Sequence, residues 1–511
     1  MGRLHTQVPD TRIPASREVT CSGLARNKDM TFEQLLKVAS SKNPPSVCVD
    51  SRQVRPGDVF VAVKGTHEDG HRYIGQAVAH GARYLVCQEG PDSSIGSTVE
   101  VVVVSDSAQA AAALAQASCG HPGSKLVNLA VTGTNGKTTV AYLVRSCIEQ
   151  AGLRCGLLGT VTYDTGRRAV SAELTTPDSQ SIARMQKEMV EAGCTYMVME
   201  ASSHALSQGR CSGINFAAAA FTNLTGDHLD YHKTLDNYLL AKGSLFEGLS
   251  KDAVAVLNAN SPQSKSMAQK TKARVLWYGI DAEADIVGRV ESMDAGGTVY
   301  RLCYWGQTAQ VRSPLLGRHN VSNHLASAGL CLAAGLNLGT IADGLAALRC
   351  VPGRLDRIPW EGPFSVLVDF AHTDDALQNV LTTLRPLCLG NLIVVFGCGG
   401  DRDKTKRPRM AGVAESLADR IVVTSDNPRT ENPLQIIRDV AAGFAHPKAD
   451  TIQVEPDRRA AIELAIGQAR PGDIVLIAGK GHETYQIVGK QKLAFSDKTV
   501  AQEILQMGKA G

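Results

Sequence analysis

Short apolar runs recur along the chain, each ended by glycine-rich, charged or proline-marked residues, with longer segments of helical spacing between them. Such runs read as strands buried on both faces. From residue 30 to 122 the pattern predicts strands at 47–49, 59–63, 84–88 and 100–105, closed by a helix at 108–117. Pro122-Gly123-Ser124 marks a linker. From 123 to 350, strands at 126–131, 196–200, 217–222 and 253–258 alternate with helices. That alternation predicts a mainly parallel sheet covered on both faces, with functional residues at the carboxyl ends of strands. A third region, 351–511, carries strands at 365–369, 391–396, 419–424, 451–454 and 473–478, and reads as a smaller doubly wound domain. The expected class is α/β in three domains. Residues 1–29 are polar, contain Pro9 and Pro14 and lack an apolar h-region; they are expected to be a disordered tail, not a secretory signal.

Composition agrees with three domains of roughly 150 residues each. Of 511 residues, 43% are apolar and 20% charged, as in ordinary globular proteins. A net charge of +3 is too mild to argue for nucleic acid. The 13 cysteines are scattered, odd in number and without a Cys-x-x-Cys pair, so they read as free thiols of a reducing cytoplasm. No apolar run approaches the roughly 18 residues of a membrane span. Nothing in the sequence argues for an oligomer, and a cytoplasmic monomer is expected.

The sharpest motif is Gly133-Thr134-Asn135-Gly136-Lys137-Thr138-Thr139, between an apolar strand and a helical segment from Val140. Such a turn aims backbone N–H groups and a helix N-terminus at an anion. Lys137 can reach terminal phosphates and Thr138 can place a hydroxyl on Mg²⁺. The usual opening glycine is replaced by Val131, so flanking strand and helix carry much of the argument. Glu200 ends the next strand, and Asp227-His228-Leu229-Asp230-Tyr231-His232 follows the one after. A carboxylate and an imidazole at neighbouring strand ends suit Mg²⁺ held between protein and phosphates. The bland readings are a capping or ion-paired carboxylate and a structural histidine. Zinc is disfavoured, because no cysteine or third histidine is close in sequence.

The third region has dense polar loops after three strands: Gly397 to Lys404, Asp426-Asn427-Pro428-Arg429, and Gly479-Lys480-Gly481-His482-Glu483. Guanidinium, ammonium and carboxylate groups together look built for a small zwitterion. One such loop would pass as solvated surface; three at successive strand ends do not.

With these motifs the chain resembles the Mur ligases, ATP-dependent amide-forming enzymes of peptidoglycan synthesis. The likeness runs from Met30 to the C-terminus and includes the Gly-Thr-Asn-Gly-Lys-Thr-Thr loop, Asp227 to His232 and Gly317 to Asn323. Asp50-Ser51-Arg52, Pro56 to Phe60 and Gly65 to Gly70 are similar to the family's UDP-binding domain. The arrangement is most similar to the member adding the third residue of the stem peptide. Asp426 to Arg429 resembles its meso-diaminopimelate-adding form. The resemblance implies a central P-loop mononucleotide-binding parallel sheet, flanked by an N-terminal UDP-binding α/β domain and a C-terminal Rossmann-like domain. It implies phosphorylation of a carboxylate by ATP with Mg²⁺, then attack by an amine on the acyl phosphate.

By matched position, Gly133 to Thr139 would bind ATP; Thr138, Glu200 and His228 would hold Mg²⁺; and Lys242 would be carbamylated and add an anionic ligand. Lys137, Glu200, His228 and Lys242 form the implied catalytic set. Asn320, Arg354 and Asp369 would lie near adenosine. Val49, Ser51, Thr66, His67 and Glu68 would hold uridine, and Thr175, Thr176, Ser202, Gln208 and Arg210 the muramoyl-dipeptide. Arg402, Asp426, Asn427, Pro428, Arg429, Gly479 and Glu483 would hold diaminopimelate. Its far end carries a carboxylate, which Arg429 can pair, and an ammonium, which Glu483 can accept. Lysine lacks that carboxylate. Three positions depart from the family pattern: Asn258-Ala259-Asn260-Ser261 for Asn-x-Asp-Asp, His372-Thr373-Asp374-Asp375 for His-Thr-Pro-Asp, and Thr405 for glycine. The alternatives are a lysine-adding or folate-polyglutamylating sibling, a P-loop small-acid kinase, and a non-catalytic nucleotide-gated binding protein.

Overall fold

The computed structural model describes residues 30–65, 68–90 and 98–507. The first sheet is parallel, in the order β1 (Val47–Cys48), β2 (Val59–Val61), β3 (Tyr84–Cys87), β4 (Glu100–Val103). Val59 and Val61 pack with Leu35 and Leu114 on one face, and Phe60 packs with Ile74 and Leu85 on the other. Burial on both faces is why these strands read as unbroken apolar runs.

The central sheet has eleven strands. In chain order they are β5 (Val127–Thr132), β6 (Cys155–Leu158), β7 (Thr162–Asp164), β8 (Ala169–Ser171), β9 (Tyr196–Glu200), β10 (Phe216–Phe221), β11 (Val254–Asn258), β12 (Arg274–Ile280), β13 (Ile286–Asp294), β14 (Gly297–Tyr304) and β15 (Gln307–Ser313). Their spatial order is β15-β14-β13-β12-β11-β10-β5-β9-β6-β7-β8. The middle is parallel, as expected; β13-β14-β15 and β6-β7-β8 extend it as antiparallel flaps. The flaps were not anticipated. In β14 and β15, alternation such as Tyr300 buried, Arg301 exposed and Leu302 buried marks a sheet covered on one face. The loop 258–261 is a brace: Asn258 donates to the Thr222 carbonyl (2.7 Å), and Asn260 pairs with Ile280 N (2.8 Å).

The third sheet runs β16 (Asp356–Arg357), β17 (Ser365–Asp369), β21 (Ile474–Ala478), β18 (Leu392–Phe396), β19 (Arg420–Val423), β20 (Ile452–Val454). All but β16 are parallel. A hairpin of β22 (Tyr485–Val488) and β23 (Gln491–Ala494) follows the loop after β21. Among the described residues no helix is long and apolar enough to cross a membrane, and no cysteine is disulfide-bonded.

The two junctions between sheets differ. Between the first and second, Gln116 donates to Gln186 Oε1 (2.6 Å), Gln186 to Asn128 Oδ1 (3.0 Å), and Asn128 to the Gly123 carbonyl (2.7 Å), all buried. Between the second and third, the polar contacts cluster at the glycine-rich loop and the helix Arg318–Ala333. Asn135 donates to Asp375 Oδ2 (2.6 Å), Arg354 to Thr138 Oγ1 (3.3 Å), and His319 Nδ1 lies 3.3 Å from Thr383 Oγ1.

Candidate active site

In the central sheet β5 lies between β10 and β9, so three carboxyl ends converge where the strand order reverses. β5 leads into Gly133–Gly136, and the helix Lys137–Gln150 starts immediately after. Gly136 has φ +89°, and a Cβ there would sit 2.2 Å from Asn323 Oδ1, so only glycine lets the loop turn this tightly. Lys137 Nζ donates to the carbonyls of Gly133 (3.0 Å) and Thr134 (2.9 Å), folded back over the loop.

Glu200, at the end of β9, is buried. It accepts from Thr138 Oγ1 (3.1 Å), Thr160 N (2.8 Å) and Thr160 Oγ1 (2.9 Å). Among the described residues it therefore caps no helix and forms no ion pair. His228 follows β10 in a left-handed backbone conformation (φ +56°), its Nε2 3.5 Å from Asp227 Oδ2. Burial pulls its pKa down to about 3, leaving a neutral imidazole that can accept or ligate. The third histidine not seen near it in sequence is supplied by space: the His204 ring packs edge-on 4.8 Å from that of His228.

Lys242, from the helix Leu235–Glu247, is 1% exposed and makes no ion pair with a carboxylate among the described residues. Its Nζ donates to the Gly133 carbonyl (2.8 Å), the one Lys137 also uses, and lies 4.3 Å from the Tyr238 ring centre. Burial, then repulsion from Lys137, pushes its pKa well below the usual lysine value. A solvated surface lysine is excluded by this setting.

Asp369 ends β17 and caps the turn before it, accepting from Leu355 N (2.6 Å) and Ala371 N (2.7 Å). Arg354 stacks 4.7 Å over Phe370, and its buried Nε has no partner. Asn320 donates to the Leu316 carbonyl and accepts from Asn323, behind the glycine-rich loop.

The carboxyl ends of β18, β19 and β21 carry the zwitterion loops. Arg429 Nη1 donates to the Gly400 carbonyl (2.7 Å), and burial, then Arg402, lowers its pKa. Asp426 Oδ2 is buried without a partner, beside Gly479. Among the described residues Arg402 donates only to the Asp401 carbonyl (3.0 Å). Glu483 is held on one oxygen: Lys480 (2.7 Å) and Asn427 (2.8 Å) both donate to its Oε2. Pro428 shapes the turn without lining the cavity.

One cavity of about 620 Å³ joins these walls. Thr134 to Thr138, Thr175, Glu200 and His228 line one side; Arg354, Arg402, Asp426, Asn427, Arg429, Gly479 and Glu483 line the other. Gly133, Thr139, Lys242, Asn320 and Asp369 sit behind the wall. Thr176, Ser202, Gln208 and Arg210 form an adjoining cluster. Thr176 Oγ1 donates to the Glu200 carbonyl (2.7 Å), Ser202 N donates to Thr176 Oγ1 (3.0 Å), and Arg210 donates to the Thr176 carbonyl (3.0 Å) and Gln208 Oε1 (3.0 Å). The residues matched to uridine are separate. Val49 is exposed, Ser51 donates to Gln76 Oε1 (2.8 Å), Glu68 accepts from Tyr73 (2.9 Å), and Thr66 and His67 lie outside the described residues.

Sequence reasoning missed Thr160, Asp375 and Lys480. Thr160 and Asp375 act through partners far away in the chain; Asp375 and Lys480 each stood inside a quoted motif but were given no role. Among the described residues no three His, Cys, Asp or Glu side chains form a metal cage. Thr138 and Glu200 offer adjacent hard oxygens, which fits Mg²⁺, an ion that takes few protein ligands plus phosphate.

Residues 46–119 match the Mur ligase family catalytic domain, 131–331 the Mur ligase middle domain, and 353–481 the Mur ligase glutamate ligase domain. The UDP-N-acetylmuramoyl-L-alanyl-D-glutamate–2,6-diaminopimelate ligase of Geobacillus thermodenitrificans is 45% identical over 467 residues, 90% of this chain and 94% of its own. A solved structure of a ligase of the same name has a TM-score of 0.64 at 32% identity, covering 91% of this chain and 96% of its own. The MurF ligase of Thermotoga maritima, solved with ADP, shares the fold at a TM-score of 0.61 and 18% identity, over 93% of this chain and 99% of its own.

Proposed function

This chain belongs to the Mur ligase family, and from that premise we propose that it is an ATP-dependent, ADP-forming ligase joining meso-diaminopimelate to the D-glutamate carboxylate of UDP-N-acetylmuramoyl-L-alanyl-D-glutamate, in cytoplasmic peptidoglycan synthesis. The observation that carries the reading is the single cavity walled by a phosphate loop on one sheet and a zwitterion cluster on the other.

A carboxylate resists an amine because oxide is a poor leaving group. Transfer of the γ-phosphoryl group to that carboxylate releases ADP and turns the oxide into phosphate. The amine nitrogen then attacks the acyl carbon and phosphate departs. Positioning and charge neutralisation are the protein's main contribution. Gly133 to Thr139 cradle the phosphates, and Lys137 exchanges its two loop carbonyls for phosphate oxygens. Thr138, Glu200 and His228 would hold Mg²⁺, which would supply charge neutralisation for the phosphates and the leaving group. Thr160 keeps both Glu200 oxygens aimed. Burial, then repulsion from Lys137 on the same carbonyl, disfavours the ammonium of Lys242 and so favours the free amine, the form that adds CO₂. The resulting carbamate turns a repulsive neighbour of Lys137 into an anion suited to Mg²⁺. Arg354 and Asp369 border adenosine with Asn320. Val49, Ser51, Thr66, His67 and Glu68 take the uridine end, and Thr175, Thr176, Ser202, Gln208 and Arg210 the dipeptide.

Arg402, Asp426 to Arg429, Gly479 and Glu483 take the amino acid. Lysine would leave Arg429 unpaired in a buried site, a defect that discriminates by about 10⁴–10⁵. Phosphate release from ATP with the UDP-dipeptide tests the reading. Release with diaminopimelate alone supports it. Comparable release with lysine overturns the specificity, and release without any amine favours a kinase.

A further inference from the structure

The side chain of Lys480 is 0% exposed, and it does not line the cavity. Its Nζ donates to Glu483 Oε2 (2.7 Å) and Asn427 Oδ1 (3.2 Å). Asn427 Nδ2 donates to the same Glu483 oxygen (2.8 Å), which closes a triangle. Ile487 N also donates to Asn427 Oδ1 (2.9 Å), so the amide cannot flip without losing two donors. Glu483 Oε2 is thereby filled. Its Oε1 has no donor among the described residues, and Glu483 borders the cavity.

We propose that Lys480 is the positioning residue that sets amino-acid specificity, by orienting Glu483 and Asn427 and by adding the charge that disfavours a lone ammonium. This rests on the function proposed above. Around the amino-acid pocket Arg402, Arg429 and Lys480 stand with Asp401, Asp426 and Glu483, and Lys480 supplies one of the positive charges. The far end of diaminopimelate brings a carboxylate and an ammonium and leaves that balance unchanged. Lysine brings an ammonium alone and tips it toward positive charge. Stability gives a weaker reason for a buried ion pair, since apolar replacements of such pairs are often neutral or better. Orientation of a carboxylate that must present one oxygen does require it.

The test is steady-state phosphate release by wild type, Lys480→Met and Lys480→Arg. Each amine is varied at saturating ATP and UDP-dipeptide, with melting curves and nucleotide titration as folding controls. Stranding Glu483 beside a cavity is expected to raise the KM for diaminopimelate in Lys480→Met by roughly 30-fold or more. The KM for ATP should move less than about 3-fold, because the nucleotide loop lies on the other wall. The ratio of kcat/KM for diaminopimelate over lysine should fall at least about 10-fold, and Lys480→Arg should recover much of it. Unchanged discrimination in folded Lys480→Met overturns the proposal. So does a KM for ATP that rises in parallel with that for diaminopimelate, the mark of a merely structural lysine. If Lys480→Met does not fold, Lys480→Met/Glu483→Gln strands no ion and is read instead; wild-type discrimination in it is equally fatal. Wild type that ignores diaminopimelate overturns the function itself, a separate outcome.

Discussion

Removing Arg458 should damage the protein in two ways that one further substitution separates. Arg458 and Asp497 are both fully buried and pair through Nε–Oδ1 and Nη2–Oδ2, each 2.7 Å. Arg458 Nη1 also donates to the Ser425 carbonyl (3.2 Å), and Nη2 to that of Ala478 (3.0 Å). Those carbonyls immediately precede Asp426 and Gly479. Arg458→Met strands a buried carboxylate, a defect of about 3–5 kcal/mol. For a domain of roughly 150–250 residues that is about 6–20 °C in its melting transition. Arg458→Met/Asp497→Leu strands no charge and should recover most of the loss. Yet the two carbonyls still lack their donor, so the KM for diaminopimelate should stay raised by about 10-fold or more, the worth of at least one of the two lost charged hydrogen bonds. Differential scanning fluorimetry and amine kinetics read the two effects. A double variant as unstable as the single one, or one with wild-type KM, would refute the reasoning.

Three further outcomes are expected. Gly136→Ala forces a side chain into φ +89° and 2.2 Å from Asn323 Oδ1; fluorescence titration should show ATP affinity at least about 10-fold weaker, from roughly 1–2 kcal/mol of strain plus the clash. His324 is buried, and burial, then His319, pulls its pKa down to about 3, so the folded state excludes a proton that the unfolded chain takes up below about pH 6.5. Stability is therefore complete above that pH and lost on descent toward 3; His324→Phe should gain on wild type by roughly 3 kcal/mol between pH 7.5 and 4.5, and parallel melting curves would count against it. Lys242→Met should abolish a carbamate carbon signal from ¹³C-bicarbonate and lower kcat at least about 100-fold while the KM for diaminopimelate holds; equal signals in both proteins would end the carbamate reading.

What the sequence discloses depends on how far apart the cooperating residues lie. Val59 to Val61 and Leu392 to Phe396 are buried on both faces, so their runs are unbroken and legible. The flap around Tyr300 alternates, and a one-sided pattern is easily lost among loops. The glycine-rich loop is local chemistry, fully written in consecutive residues. Thr160 on Glu200 and Asp375 on Asn135 join positions 40 and 240 residues apart, and no spacing announces such contacts. Lys480 is the middle case. It sits in a visible motif, but its meaning depends on Asn427, contributed by another strand end.

The two junctions between sheets also differ as mechanical parts. The Gln116–Gln186–Asn128 joint is a chain of directional bonds in which every link would break under a small rotation, so it behaves as a weld. The second junction meets largely at the nucleotide loop and beside it, through Asn135–Asp375, Arg354–Thr138 and His319–Thr383. It behaves as a latch whose keeper is the phosphate loop itself. The first joint is thus fastened by the protein alone, whereas the second is fastened at the loop that a bound phosphate would occupy.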